Sequence, residues 1–253
     1  MELQLIPATD LKVDTRAQRA TDERHMESLK NSFDVRKVGA VIVSERKDGS
    51  RYILDGQHRI FGAQGCGFDG GIPAIVHRGL TLAEEAELFL ALNSNKAVPL
   101  MEKFRTRVTA GDKQASAVNR IVEDEGFSVG QAARSDHSIS AVAQLEAIYR
   151  NSGHQALRYT LQVIREAWQP LSVQARSARI LAAVSTVVSA PGVELDRLTS
   201  ALSKTTANVI MADADFMVDM HSHLTKRKAD AEVVLRAYNK GLRREDRVVL
   251  DEA

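Results

Sequence analysis

The sequence contains a single cysteine, Cys66, among its 253 residues. One cysteine forms neither an intramolecular disulfide nor a zinc site built on cysteines, which fits a protein of a reducing compartment. Long hydrophobic runs are also missing, because no apolar stretch approaches the roughly 18 residues of a membrane helix. The N-terminus lacks the basic and apolar regions of a signal peptide. We therefore expect a cytoplasmic protein that has no membrane as a partner.

An excess of charge of one sign is absent as well. The chain carries 34 Lys and Arg residues against 33 Asp and Glu residues, a formal net charge of +1. This balance gives no global attraction to nucleic acid, so any DNA contact must come from a local basic patch. Apolar residues make up 44% of the chain, which suffices for the core of one large domain or two modest ones.

The pattern of residues changes along the chain. Glycine and strand-forming residues are concentrated in the first third, whereas helical periodicity persists from Lys113 onward. We therefore expect an α+β protein, in which a small mixed sheet with helices (1–100) is followed by an all-α helical bundle (101–253). Turn-forming breaks indicate about five to seven helices in the second part. These breaks lie at 151–153, 169–170 and 190–192.

The most informative stretch is residues 53–59, where a short apolar run ends in Asp55-Gly-Gln-His-Arg59. Two strand-like runs, 40–44 and 51–55, flank a turn at Asp48-Gly49 and predict a β-hairpin. A short helix is predicted to follow directly. The N–H groups at a helix N-terminus attract anions, and an arginine adds a fork of donors suited to phosphate oxygens. The pattern therefore predicts a phosphate-binding turn between a strand and a helix.

Four features in the first 95 or so residues occur in a familiar order. They are Asp14–Arg19 with a predicted helix from Asp22 to Phe33, the hairpin with Gly56–Arg59, the strand Ile72–His77, and the helix Thr81–Asn95. The last begins with Thr81 and Glu84 at the spacing of a capping box. In this order and spacing, the segment resembles the N-terminal domain of the ParB and sulfiredoxin superfamily. The pentapeptide Asp55–Arg59 is the signature of its DGQHR subgroup, which includes proteins associated with DNA phosphorothioate modification.

The resemblance implies a ligand and a set of site residues. In ParB proteins of chromosome segregation, the segment at the place of Gly56–Arg59 binds the triphosphate of CTP. By resemblance, we expect this chain to bind a nucleotide or nucleic-acid phosphate, with CTP or ATP and Mg as candidate cofactors and DNA as a partner. The implied binding residues are Arg19, Gly56, Gln57, His58, Arg59, Asn93 and Lys96.

Two departures from the family pattern narrow the chemistry. The segment Leu92–Lys96 stands where ParB proteins carry Glu-Asn-x-x-Arg, and leucine cannot ligate a hard cation such as magnesium. Gln57 stands where sulfiredoxins carry their catalytic cysteine, and an amide has no nucleophilic sulfur. The metal-supported half of the ParB site is therefore not expected in the same form, we assign no residue as a metal ligand, and we predict no sulfiredoxin activity.

Three classes of function stay open. The leading one is a ParB-like, DNA-associated protein that binds phosphate through the pentapeptide. The second is a ParB-like nuclease or NTP-hydrolysing enzyme, with Asp55 and His58 as catalytic base and acid. The third is an interaction module with a vestigial pocket, in which the helical part mediates homo-oligomer formation or partner binding.

Three further patterns lie in the helical part. Residues 127–145 resemble a helix-turn-helix, with helices over 131–134 and 138–145. The segment Lys226–Arg247 has eight basic residues against four acidic ones, a local excess that favours a phosphate backbone. Asp215, Asp219, His221 and His223 would share one polar face of a helix, but a solvent-facing stripe explains the same spacing.

Overall fold

The computed structural model describes residues 2–14, 16, 33–93, 99–131, 135–221 and 223–250. The chain forms two compact units, Met1–Ala115 and Ser116–Ala253. The first unit holds a mixed five-stranded sheet and the second is mainly helical, so the predicted α+β class is confirmed. The division into domains 1–100 and 101–253 stays a prediction about folding units.

The first unit alternates strands and short helices. Its strands are β1 (Glu2–Pro7), β2 (Leu11–Lys12), β3 (Val41–Glu45), β4 (Arg51–Asp55) and β5 (Gly71–Arg78). Its helices are α1 (Gln57–Gly65), α2 (Leu82–Leu92) and α3 (Leu100–Thr109), and α4 (Lys113–Asp124) continues into the second unit. Short 3-10 turns lie at Ala8–Asp10 and Val35–Lys37. The predicted helix from Asp22 lies outside the described residues, except for its last residue, Phe33.

The strands are ordered β1-β5-β3-β4-β2. β3 and β4 form the predicted antiparallel hairpin, while β3 pairs in parallel with β5. The hairpin register shifts at its end, because Ile42 pairs with Asp55 whereas Val43 pairs with Ile53. Leu54 is therefore an extra residue, and such a β-bulge bends its strand and redirects the side chains that follow. The bulge lies directly before the predicted phosphate-binding turn.

One face of the sheet carries the core of the first unit. Ile60 and Ala63 of α1 are fully buried against apolar side chains of all five strands. The helix α2 lies against β4 and begins with the predicted capping box, in which Thr81 accepts from the Glu84 N–H and Glu84 accepts from the Thr81 N–H. The core is formed by Ile6, Ala8, Leu11, Val38, Val41, Val43, Ile53, Ile60, Ala63, Ile72, Ala74 and Val76.

The second unit is a bundle of helices. They are α5 (Val142–Ala167), α6 (Ala178–Val188), α7 (Leu195–Leu202), α8 (Ala207–Met220) and α9 (Lys226–Asn239). α9 lies at the centre of the unit, because it packs against α6, α7 and α8. Gly153 interrupts α5 with φ +85° and ψ 178°, at one of the predicted breaks. In the part of the chain that is described, no helix is long and apolar enough to cross a membrane.

The predicted helix-turn-helix over 127–145 is wrong. Ser128–Val129 and Ser138–Ile139 form two short parallel strands, β6 and β7, and the following helix begins only at Val142. The buried Arg176, from a distant segment, donates to the carbonyls of Ser135 and Ser138 in this loop. Of the predicted first helix, residues 132–134 lie outside the described part of the chain.

Candidate phosphate-binding site

The pentapeptide lies on a tight turn between β4 and α1. Gly56 is the N-terminal flanking residue of α1 and has φ +95°, a left-handed conformation that a side chain disfavours. A Cβ atom at this position would lie 2.6 Å from Val41 Cγ1 and 2.9 Å from Arg59 Nη2. The turn therefore requires glycine both for its backbone conformation and for the space around it.

Arg59 is turned toward the protein. Its Nη1 donates to the carbonyl oxygens of Val38 at 2.6 Å and Ala40 at 3.1 Å, and its Nη2 donates to Asp55 Oδ2 at 3.0 Å. These bonds use three of the five N–H groups of a guanidinium. Arg59 thus joins the segment before β3 to the end of β4, and its predicted role as a bidentate phosphate ligand stays a prediction.

The other polar residues of the pentapeptide differ in exposure. His58 is exposed on the first turn of α1, while Asp55 and Gln57 are half-buried. Asp55 accepts the bond from Arg59. Asp55, Gln57 and His58 each make at least one interaction besides this bond. The turn therefore brings Asp55 to Arg59 together as predicted, with Asp55 paired to a cation. Their roles as base and acid stay a prediction.

A small cleft opens beside the first turn of α1, with a volume of about 130 Å³. Its lining includes Lys37, Arg59 and the exposed His58. Lys37 Nζ lies 3.8 Å from Asp34 Oδ2. Pockets for small-molecule ligands usually span about 300–1,000 Å³. The cleft is smaller than this, so among the described residues it has room for a phosphate group and not for a whole nucleotide. The lining residues are Phe33, Asp34, Lys37, Val38, His58, Arg59 and Gly62.

The acidic residue of this cleft is already paired. Asp34 accepts 3.0 Å bonds from the backbone N–H, Nε and Nη2 of Arg36. These bonds hold the pKa of the Asp34 carboxyl below its usual value. Sequence inspection missed Lys37 and Asp34, because they come about twenty residues before the pentapeptide and reach it only through the fold.

The three remaining predicted residues come from other segments. The Asn93 side chain is buried at the end of α2, and its Nδ2 donates to the Phe89 carbonyl at 2.8 Å. This bond satisfies a carbonyl at the helix C-terminus. Arg19 and Lys96 lie outside the described residues, so phosphate contacts by all three residues stay predictions.

A buried ionic cluster anchors the segment that opens the family-like region. Arg46 donates to Glu85 Oε1 at 2.9 Å and to Asp14 Oδ2 at 2.9 Å, and its guanidinium lies 3.7 Å from the Tyr52 ring centroid. Arg16 donates to Asp14 as well, and the bonds from these two arginines lower the pKa of the Asp14 carboxyl well below its usual range. The cluster ties the loop at residue 14 to β3 and α2.

The four residues predicted to share a polar face do not lie on one helix, because α8 ends at Met220 and His221 and His223 follow it. Asp215 is bonded by Arg179 and paired with Lys226 at 3.3 Å, and His221 and His223 lie beside each other with ring centroids 6.0 Å apart. No group of three or more His, Cys, Asp or Glu side chains suited to a metal ion occurs among the described residues.

Comparison with known proteins places the chain in a family. A family model described as "Family of unknown function (DUF6551)" matches residues 14–250, and the chain belongs to this family. No curated protein matches the chain.

Two solved structures of C-terminally truncated chromosome-partitioning protein ParB from Caulobacter crescentus are similar to it. The complex with the centromeric parS site has 16% sequence identity and a TM-score of 0.39, and the match covers 91% of this chain and 98% of that chain. The complex with CTP-gamma-S has 15% identity and a TM-score of 0.32, with 92% and 99% covered. At this level of similarity, the ligands of those proteins are properties of those proteins alone.

Proposed function

We propose that the chain is a DNA-associated protein whose first unit binds the phosphate of a nucleotide or nucleic acid at the Asp55–Arg59 turn. The observation that carries this proposal is the cleft at the start of α1, where Lys37, His58 and Arg59 meet beside a helix N-terminus. A helix N-terminus has a partial positive charge, and cationic side chains beside it strengthen its attraction for anions.

The residues of the turn and its neighbours would have different roles. Gly56 supplies the left-handed backbone conformation of the turn, which a side chain disfavours. The exposed His58 and Lys37 would contact the phosphate. Arg59 would hold the segment Val38–Ala40 in place through its bonds to the two carbonyls. Its remaining N–H groups would donate to the phosphate. This assignment makes Arg59 a positioning residue as well as a candidate ligand.

The DNA partner is supported by two features outside the cleft. The order of motifs over the first unit resembles that of ParB proteins. In the second unit, the eight basic residues between Lys226 and Arg247 are all exposed. A cluster of exposed cations favours a phosphate backbone even when the net charge is near zero.

Calorimetric titration of the full chain with inorganic triphosphate, CTP and ATP, each with and without Mg²⁺, tests the proposal. We expect His58→Ala to weaken binding at least tenfold, because it removes a donor from the cleft. His154→Ala, which changes an exposed histidine of the second unit, is the matched control and should bind as the wild type does.

Arg59 is tested with a conservative variant because it also shapes the turn. Arg59→Lys keeps the charge but replaces the planar fork of donors with a compact ammonium group, so it should bind less tightly while the protein stays folded by circular dichroism. Wild-type protein that binds none of the three compounds at 1 mM, and whose DNA complex is not displaced by triphosphate, would contradict the proposed site.

Hydrolysis by the same turn stays a prediction from the sequence. Supercoiled plasmid and radiolabelled NTP, incubated with Mg²⁺ or Mn²⁺ and either wild type or His58→Ala, would reveal it. Product formed by the wild type alone would assign catalysis to the turn, whereas intact substrates would leave binding as its function.

A further inference from the structure

The sheet of the first unit has two edge strands that differ in length. One is β2, which has two residues. The other is β1, whose six residues pair with β5 in one unbroken register, from Glu2 opposite Val76 to Pro7 opposite Gly71. Proteins protect edge strands from pairing with other chains by making them short, bulged, charged or interrupted by proline. β2 is protected by its length, whereas β1 is long and regular.

The outer side of β1 has backbone groups without partners. Within the part of the chain that the structure describes, β1 pairs with β5 and with no other strand, and no loop or side chain bonds its backbone. Its only charged residue, Glu2, is paired with Arg78 at 2.8 Å. Pro7, which has no N–H group, is the last residue of the strand. A row of free N–H and C=O groups is satisfied by another strand, so an extended chain is the partner that this edge fits.

Two large apolar side chains of β1 are exposed. Leu3 and Leu5 are 69% and 73% exposed, although their neighbour Ile6 is buried in the core. Side chains two residues apart on a strand share a face, so both leucines lie on the face opposite Ile6. Across the ladder they pair with Ile75 and Pro73 of β5, which are half-buried. The leucines therefore have apolar neighbours on the β5 side and are open to solvent on the outer side.

We propose that β1 pairs with β1 of a second copy of this chain, antiparallel about a two-fold axis at Gln4, so that the two sheets join into one. Leu3 of each copy then lies opposite Leu5 of the other, which makes two apolar pairs side by side on one face. Apolar side chains directly opposite each other stabilise a sheet. The paired residues are Glu2–Ile6 of each copy, and Pro7 lies just beyond them. A two-fold interface requires a surface that is complementary to itself, and this register supplies it.

The order of residues in β1 selects both the partner and the register. The neighbouring antiparallel registers that keep each face aligned have their axis at Leu3 or at Leu5, and each forms one leucine pair instead of two. A parallel pair in register would place the two Glu2 carboxylates side by side, which is unfavourable. β1 is therefore best matched by a second copy of itself. No residue of the phosphate-binding turn lies on β1, so this proposal does not depend on the proposed function.

Sedimentation equilibrium of the full chain from 5 to 500 µM tests the pairing. We expect the wild type to dimerise in this range. Leu3→Lys with Leu5→Lys should weaken association at least tenfold, because the introduced lysines face each other across the axis. Val249→Lys changes an apolar residue of similar exposure, 77%, in the second unit, and should leave the dimer intact. Since Leu3 and Leu5 are exposed in one copy, their double variant should unfold at the wild-type temperature at 1 µM protein, where the copies are separate.

A variant with opposite charges tests the register. Leu3→Lys with Leu5→Glu removes the same two leucines, but each introduced lysine then faces the introduced glutamate of the other copy. Registers centred on Leu3 or Leu5 would place like charges opposite each other instead. This variant should therefore associate at least tenfold more tightly than the double-lysine variant in 50 mM salt, and the advantage should shrink in 1 M salt.

Three results would contradict the proposal. Wild-type protein that remains a monomer at 500 µM would overturn it and leave the edge to a foreign strand. A dimer that persists in Leu3→Lys with Leu5→Lys would overturn it too, because its interface would lie elsewhere. Equal association of the two double variants would overturn the antiparallel register about Gln4.

Discussion

Gly56 is the residue on which the candidate site depends most directly. Its positive φ and the contacts that a Cβ would make are separate constraints. The positive φ is shared with other turn glycines, whereas the steric contacts arise from Val41 and Arg59, which lie close to this position. Gly49 in the β3–β4 turn separates the two effects, because it has φ +79° and nothing within 4 Å of a built Cβ.

Alanine substitutions at these two glycines should differ in cost. Gly49→Ala should lower the free energy of unfolding by about 1–2 kcal/mol, the cost of a left-handed conformation with a side chain. Gly56→Ala should cost about 1–3 kcal/mol more, because overpacking forces Val41 or Arg59 to move. Urea unfolding of both variants measures the difference, and equal losses would show that the predicted overlap is relieved without cost.

At the scale of elements, the local parts of the first unit could be predicted from the sequence. The hairpin, the capping box of α2 and the short helix after Gly56 follow from residues that are neighbours in the chain. The hydrogen bonds from Arg59 to the carbonyls of Val38 and Ala40 could not be predicted, because these carbonyls are about twenty residues away in the chain. Backbone carbonyls leave no signal in a sequence. The bonds from Arg176 to the carbonyls of Ser135 and Ser138 also come from a distant segment, so the local pattern of residues 127–145 does not reveal them.

The Arg46 cluster joins a loop, a strand and a helix of the first unit. Glu85 is only 1% exposed and is bonded by Arg46. Arg46→Ala should therefore lower the free energy of unfolding by about 3–5 kcal/mol, because it leaves a buried carboxylate without its partner. Arg36→Ala, which removes an arginine that is 85% exposed, is the control and should have little effect.

The same cluster predicts a pH dependence. The pKa of Asp14 is lower in the folded chain than in the unfolded chain, because Arg16 and Arg46 favour its charged form. Its contribution to stability is therefore present above its unfolded pKa, near 4, and is lost as the pH falls below it. Asp14→Asn should flatten the decline of unfolding free energy between pH 5 and pH 2. Asp69→Asn, at an exposed position, should keep the wild-type slope.

At the scale of the whole molecule, charge is arranged locally although it nearly cancels in total. The formal net charge is +1, yet the segment Lys226–Arg247 exposes all of its basic residues. Of its acidic residues, Asp230 is buried and bonds Arg179 of another helix, whereas Glu232 pairs with Arg236 inside the segment; Lys226 pairs with Asp215 outside it. The second unit therefore presents more positive charge to solvent at this segment than the sequence total suggests.

This arrangement predicts where DNA contact is lost. Arg243→Gln with Arg244→Gln should weaken duplex binding at low salt and reduce the slope of log affinity against log salt by roughly 2. Lys12→Gln with Lys47→Gln makes the same change of net charge on the first unit and should have a smaller effect. Fluorescence anisotropy from 50 to 200 mM salt measures both, and equal losses would assign the binding to total charge alone.

The extra residue in β4 has a consequence for relatives of this protein. Side chains alternate between the two faces of a strand, so a change of one residue sends the next side chain to the opposite face. Leu54 is the residue that the hairpin ladder leaves without a counterpart. Consider a homologue that has the same pentapeptide but is one residue shorter between the hairpin turn and the aspartate. Its aspartate side chain would point to the opposite face of the sheet.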